Sequence, residues 1–274
     1  MAQIVLGVGT SHSPGQIGSI DRAPIKQVEN VYGALRKVRK AIESLKPDLI
    51  VVLSNGHYSN FHVHNMPAVC VGVGPTHYGP TDGGMIGVPA GNIPGQAEFA
   101  TNLVKSGYDA GFDLAWSGDL RLDTGVMVPY HTFNPDHTIP VVPILLNAMV
   151  LPVPTANRMH QFGGFLRSFA ASRPKDEKIV IIGAGGISHE VFTSRSGMID
   201  SDFDHEFLEN LQHNRVKAIT SYTTEKFEKS GNGTKEVIAW TAALGAMGDR
   251  KAEVLAYEPV AEWITGTGVV VWEP

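Results

Sequence analysis

Three histidines stand just past apolar runs in this 274-residue chain. His12 follows residues 3–9, His57 follows Leu49–Leu53 by way of Ser54, Asn55 and Gly56, and His189 follows Lys178–Ile182 through a turn containing Gly183, Gly185 and Gly186. Open α/β sheets collect ligands outside the carboxyl ends of their strands, so imidazoles at three such ends define a candidate shared site. Glu236, in GNGTKEVIAW near the start of a helical pattern, could serve only as a helix-dipole partner, because a carboxylate in the first turn is favourable whatever the function. As a ligand it would instead complete two histidines and one carboxylate. That facial set binds non-haem iron(II) and leaves adjacent positions open. Zinc accepts the same donors almost as well, so the donor types alone leave the metal open.

Other reactive residues compare less well. His62 and His64, two apart in FHVHN, read as surface residues, and His160, His205 and His213 fall in helical patterns. His77 and His131 lie in loop-like stretches where they could line a pocket. Cys70, the single cysteine, sits among apolar residues and reads as core; its solitude excludes an intrachain disulfide and any thiolate-rich metal site. GVGTSH and GAGGIS lack the spacing of a dinucleotide fingerprint, and no Walker lysine or G-x-S-x-G elbow is present. These glycines read as room for backbone to approach a metal pocket.

The elements that must position these side chains alternate along the chain. Residues 3–9 predict a strand, and Val28, Val31, Leu35, Val38, Ile42 and Leu45 mark one face of a helix that Pro47 stops. Leu49–Leu53 predicts a buried strand. Further strands are expected at 67–73, 111–116, 139–146, 178–182 and 266–271, with Pro140 and Pro143 suggesting an edge or bulge. Helices are expected at 97–107, 155–171, 203–228 with a break near Asn214, and 234–247. Two stretches rich in glycine and proline, 72–95 and 117–137, read as long loops of the kind that shape active sites. The alternation predicts one α/β domain over 1–274, with a central mostly parallel or mixed sheet flanked by helices.

Composition narrows the partners. Lys and Arg number 22 against 27 Asp and Glu, a net charge of −5, with no basic cluster, which argues against nucleic acid. No run reaches the roughly 18 to 20 apolar residues of a membrane span, and the N-terminus lacks the basic region and apolar core of a signal peptide, so a soluble cytoplasmic protein is expected.

GTSHSP at 9–14, SNGH at 54–57, the strand, glycine turn and Ser-His at 179–189, KEVIAW at 235–240 and TGTGVVV at 265–271 resemble, in this order and spacing, the catalytic subunit of class III, LigB-type extradiol ring-cleavage dioxygenases. The resemblance covers nearly the whole chain. It implies a LigB-like fold, iron(II) held by His12, His57 and Glu236, and His189 as the acid/base residue. The reaction it implies inserts both atoms of O2 into a catechol-like or ortho-aminophenol-like ring. Thr124, Tyr130 and His131 are then candidate substrate contacts. The family often carries Asp-His-Gly near mid-chain, where this chain has Asp123, Thr124 and Gly125; threonine can donate or accept a hydrogen bond but cannot shuttle a proton near neutral pH. Relatives form homodimers or pair with a small helical subunit. A zinc-dependent hydrolase using the same ligands, with His189 as general base, and a non-catalytic binding protein of the same fold are the rival readings.

Overall fold

A computed structural model describes residues 1–82 and 84–273; Gly83, within the expected 72–95 loop, and Pro274 lie outside the described residues. In chain order the elements are β1 (Gln3–Thr10), α1 (Gly15–Gly18), α2 (Ile25–Leu45), β2 (Leu49–Ser54), β3 (Val69–Gly72), β4 (Thr76–Gly79), β5 (Gly91–Pro94), α3 (Ala97–Asp109) and β6 (Ala115–Ser117). They continue with α4 (Thr124–Phe133), β7 (Val141–Leu146), α5 (Ala156–Ser172), β8 (Lys178–Ala184), α6 (Ser201–Gln212), α7 (Val216–Thr220), α8 (Thr224–Lys229), α9 (Val237–Met247), β9 (Ala252–Val260) and β10 (Thr265–Trp272).

Eight strands form one mixed sheet in the order β6-β3-β7-β2-β8-β1-β10-β9. Its centre, β7-β2-β8-β1, is parallel, and β3 and β10 run antiparallel to it at either side. Alternation along β2 explains the layers. Leu49, Val51 and Leu53 pack in one apolar core with α3, α5 and α9, whereas Ile50 and Val52 pack in a second with α2 and α4. The sheet is therefore covered on both faces, and the carboxyl ends of β1, β2 and β8 open at one edge of the sandwich.

Three expectations change. Pro143 does not mark an edge, because β7 lies between β3 and β2; its missing N–H is tolerated because the β3 ladder ends one residue away, at Val71 opposite Ile144. The 117–137 stretch is not one long loop: it holds α4, with Pro129 inside the helix. Likewise 72–95 contains the β4–β5 hairpin. The break expected near Asn214 occurs there, with Asn214 at φ 50°, and a second gap separates α7 from α8. Among the described residues no helix is long and apolar enough to cross a membrane.

Candidate metal centre

Helix α9 reaches the sheet because glycines make room for it. A Cβ on Gly9 would overlap the Trp240 ring, one on Gly7 would lie 2.6 Å from Met247, and one on Gly185 would lie 2.6 Å from the Cβ of Glu236. The glycines near 7–9 and 183–185 thus admit a helix rather than a ligand, and in doing so they place the start of α9 at the ends of β1 and β8. Glu236 stands at the first position before α9 and does not cap it. Its carboxylate turns instead to the strand ends, where Oε2 accepts from Gly186 N–H at 2.7 Å and Oε1 from Asn55 Nδ2 at 3.0 Å.

The two histidines meet it there. His12 Nε2 lies 3.0 Å from Glu236 Oε2 and His57 Nε2 lies 3.8 Å from Oε1. One ligand atom from each of the three residues falls within 4.8 Å of the others. His12 and Glu236 are buried, while the His57 side chain keeps 35% of its surface exposed and forms the rim. Two imidazoles and one carboxylate converging from three elements fit a divalent transition metal, and the donor set suits iron(II) or zinc.

The hydrogen bonds behind the ligands decide which nitrogen faces inward. Pro129 has no N–H to give to the carbonyl of Gly125, four residues back in α4, and that carbonyl accepts from Ser54 Oγ at 2.8 Å. With its only proton committed, Ser54 must accept at its contact of 3.0 Å with His12 Nδ1, so Nδ1 carries a proton and Nε2, turned towards Glu236, is the nitrogen left to bind a metal. On the other histidine, Nδ1 lies 3.5 Å from Asp123 Oδ1 and 3.5 Å from Thr124 Oγ1. Asp123 also caps α4 through Gly125 N–H and holds the His57 backbone N–H at 2.5 Å. Ser54→Ala should therefore weaken metal binding by about 10- to 100-fold, the usual cost of losing a ligand's hydrogen-bond partner. Titration of the variant with zinc would show it, and unchanged affinity would remove Ser54 from the site.

Charge follows the same geometry. Burial opposes ionisation of Glu236, but His12 and His57 outweigh it and hold the carboxyl well below its ordinary range. Burial also opposes the His57 imidazolium, yet Asp123 and Glu236 raise its pKa to about 10. A metal needs the neutral imidazole, so below that pH each bound ion must displace the His57 proton. The His57 proton should make the logarithm of metal affinity rise by about one per pH unit between pH 6 and 8. A pH-independent constant from metal titrations at several pH values would count against His57 as a ligand.

His189 is placed beside this set, with Nε2 at 3.8 Å from Glu236 Oε2. Its Nδ1 lies 3.4 Å from the carbonyl of Ile187, which can only accept, so the proton is on Nδ1 and Nε2 is a lone pair facing the centre. Burial pushes its pKa below the ordinary value, against the pull of Glu236, and leaves a neutral base. Two glycines form its cradle. A Cβ at Gly233 would overlap the ring, and one at Gly186 would lie 2.6 Å from Nδ1. The loop is tied down by β10, through Gly266 N–H to the Ser188 carbonyl, and by the buried Asp204, which accepts from Ser188 N–H at 2.7 Å and Tyr257 hydroxyl at 2.8 Å. Burial raises the Asp204 carboxyl to about 6.

Not every expected residue arrives. Thr124 is buried against His57, as its hydrogen-bond distance shows. Tyr130 and His131 have other partners: the Tyr130 hydroxyl donates to the Ile139 carbonyl and its ring stacks on His137, while His131 Nδ1 lies 3.1 Å from His137 Nε2. Both belong to the C-terminal part of α4, and neither side chain is partnered with a candidate ligand. His77 is buried in the β4–β5 hairpin, Cys70 is buried in β3, and His62 and His64 are exposed. Ser54, Asn55 and Asp123 contact the candidate ligands although none is a candidate site residue by sequence. The first two were visible within SNGH, and Asp123 as an N-cap followed two residues later by glycine.

Comparison with known proteins gives the family. Two proteins named 2,3-dihydroxyphenylpropionate/2,3-dihydroxicinnamic acid 1,2-dioxygenase, from Escherichia coli O81 (strain ED1a) and Escherichia coli K12, are each 25% identical to this chain, with 94% of this chain and 95% of theirs aligned. The crystal structure of an uncharacterized protein from Escherichia coli K12 shares the fold at a TM-score of 0.66 and 16% identity, covering 98% of this chain and 99% of that one. The family model described as the catalytic LigB subunit of aromatic ring-opening dioxygenase matches residues 6–271, so the chain, a dioxygenase, belongs to the LigB family.

Proposed function

We propose that the chain opens a catechol-like or ortho-aminophenol-like ring with O2 by extradiol cleavage, using iron(II) held by His12, His57 and Glu236, with His189 as the acid/base residue. The observation that carries this reading is the convergence of three ligand atoms with the neutral Nε2 of His189 alongside them. Iron(II) held by these three residues would supply the redox chemistry that lets an ortho-substituted ring react with O2. The chain supplies the rest. His189 Nε2 accepts a proton from a substrate hydroxyl and returns it as the ring opens. Asn55 and the Gly186 N–H hold the Glu236 carboxylate in place, and Thr124 supports the His57 side by hydrogen bonding alone. The reading includes the whole of 1–274 as one catalytic domain, a cytoplasmic location, and assembly as a homodimer or with a small helical subunit.

Protein loaded anaerobically with iron(II) should consume one O2 per catechol or 2-aminophenol and abolish the aromatic absorbance. Turnover in the absence of O2, or turnover by the zinc-loaded protein, would sink the proposal in favour of a hydrolase.

A further inference from the structure

His189 takes its tautomer from one peptide group, the one that joins Ile187 to Ser188. Strand β10 brackets this peptide on both sides: Ile187 N–H donates to the Gly266 carbonyl at 3.1 Å, and Gly266 N–H donates to the Ser188 carbonyl at 2.9 Å. Those bonds hold the neighbouring amides and leave the middle one able to turn about the line joining its two Cα atoms. A trans peptide is planar, with C=O and N–H pointing opposite ways, so fixing either end fixes the other. At one end the Ile187 carbonyl lies 3.4 Å from His189 Nδ1. At the other, Ser188 N–H donates to Asp204 Oδ1 at 2.7 Å.

Asp204 lies fully buried in the first turn of α6. Gly266 makes room for its carboxylate, because a Cβ there would overlap Oδ2, and that oxygen accepts from the Tyr257 hydroxyl at 2.8 Å. Both donors are neutral, so the anion is held at a cost, and burial raises this carboxyl to about 6. Ser188 is anchored a second time through its Oγ, which accepts from Asp200 N–H at 2.7 Å. That bond holds the residue in place but does not settle which way its own N–H points; the bond to Asp204 does. With the peptide turned over, Ser188 N–H would face His189 Nδ1 in place of the Ile187 carbonyl. The imidazole would then accept at Nδ1 and carry its proton on Nε2, with no lone pair to offer at the centre.

We propose that Asp204 is a positioning residue for His189, holding the Ile187–Ser188 peptide so that its carbonyl faces Nδ1 and Nε2 stays free to take a proton. The inference rests on the ring-cleavage reading above, which gives His189 its proton transfer, and adds to it a residue that acts through the backbone from behind the loop.

The test compares Asp204→Ala with Asp204→Asn. Asparagine still accepts from Ser188 N–H and can donate to the Tyr257 oxygen, so it keeps the geometry without the charge, whereas alanine keeps neither. Nitrogen NMR of zinc-loaded protein carrying 15N-labelled histidine reads the tautomer without turnover, with His189→Phe identifying the His189 signals. His189 should carry its proton on Nδ1 in the wild type and in Asp204→Asn, and should shift towards Nε2 protonation in Asp204→Ala. In the iron(II)-loaded protein, Asp204→Ala should lose about 10- to 100-fold in kcat at unchanged KM and metal content, and Asp204→Asn should recover to within about threefold of the wild type. A merely structural role would lower metal content and kcat together and leave the tautomer as it is. Asp204→Leu, apolar and closer in size, repeats the test should the alanine variant fail to fold. A wild-type His189 protonated on Nε2, an unchanged tautomer in Asp204→Ala, or an asparagine variant as impaired as alanine overturns the inference. If the tautomers follow the expected order but no form of the protein, wild type included, cleaves a catechol, the positioning role stands and the ring-cleavage reading falls.

Discussion

His189→Phe should keep its full complement of metal and lose about two to four orders of magnitude in kcat, the usual contribution of a positioned general acid/base. The two halves of this result come from different parts of the geometry. The three candidate ligands are held by Ser54, Asn55, Asp123 and the Gly186 N–H, none of which uses the His189 side chain. The proposed proton function, by contrast, rests on one nitrogen, Nε2 of His189, whose lone pair is fixed by the Ile187 carbonyl behind it. Gly233→Ala should give a weaker version of the same defect. The added methyl overlaps the imidazole and must push it aside, and a displacement of about 1 Å can cost about 10²-fold in rate. Metal analysis and oxygen uptake on both variants separate the possibilities. An unchanged rate in His189→Phe removes the residue from the mechanism, and loss of metal makes it a ligand instead.

The parts of this site that were legible in the sequence are those carried by strands with simple patterns. β2 and β8 are apolar runs buried on both faces, so their ends, and with them His57 and His189, could be located without coordinates. β9 was not anticipated, because it is the outer strand of the sheet and carries Glu253 and Glu258, charges typical of an edge that blur the apolar pattern. Helix α4 was hidden for a different reason. Pro129 argues against a helix by every local rule, yet the carbonyl it leaves free is satisfied by Ser54 from a strand 71 residues earlier in the chain. That partner is tertiary, and no window of sequence contains it. The same concealment bears on Tyr130 and His131. As loop residues they could have faced the pocket, but on α4 they point to Ile139 and His137.

Glu236→Gln should cost the protein its metal, and the reason lies in two effects that act in the same direction. Glutamine is nearly the same size, but it brings no negative charge to a site that must hold a divalent ion, and it cannot be a strong ligand. It also has one acceptor where the carboxylate has two, so either the Asn55 amide or the Gly186 N–H is left facing an NH2 group; a buried donor without an acceptor costs about 1–3 kcal/mol. Part of that cost is returned in the metal-free protein. Glu236 is one of the two anions that hold the His57 pKa near 10, and without it His57 surrenders its proton more easily, leaving Asp123 as the remaining partner. Easier deprotonation would favour metal binding, but a shift of one pKa unit is worth only about 1.4 kcal/mol, less than the loss of an anionic ligand to a divalent ion. The ligand effect therefore wins. The expected result is a fall of at least about 10²-fold in iron(II) and zinc affinity, with turnover lost in proportion to bound metal. Glu236→Asp keeps the charge but withdraws it by one methylene, and should fall between the two. Wild-type affinity in Glu236→Gln would mean that the carboxylate serves only to balance His57, and that the metal, if any, is held elsewhere.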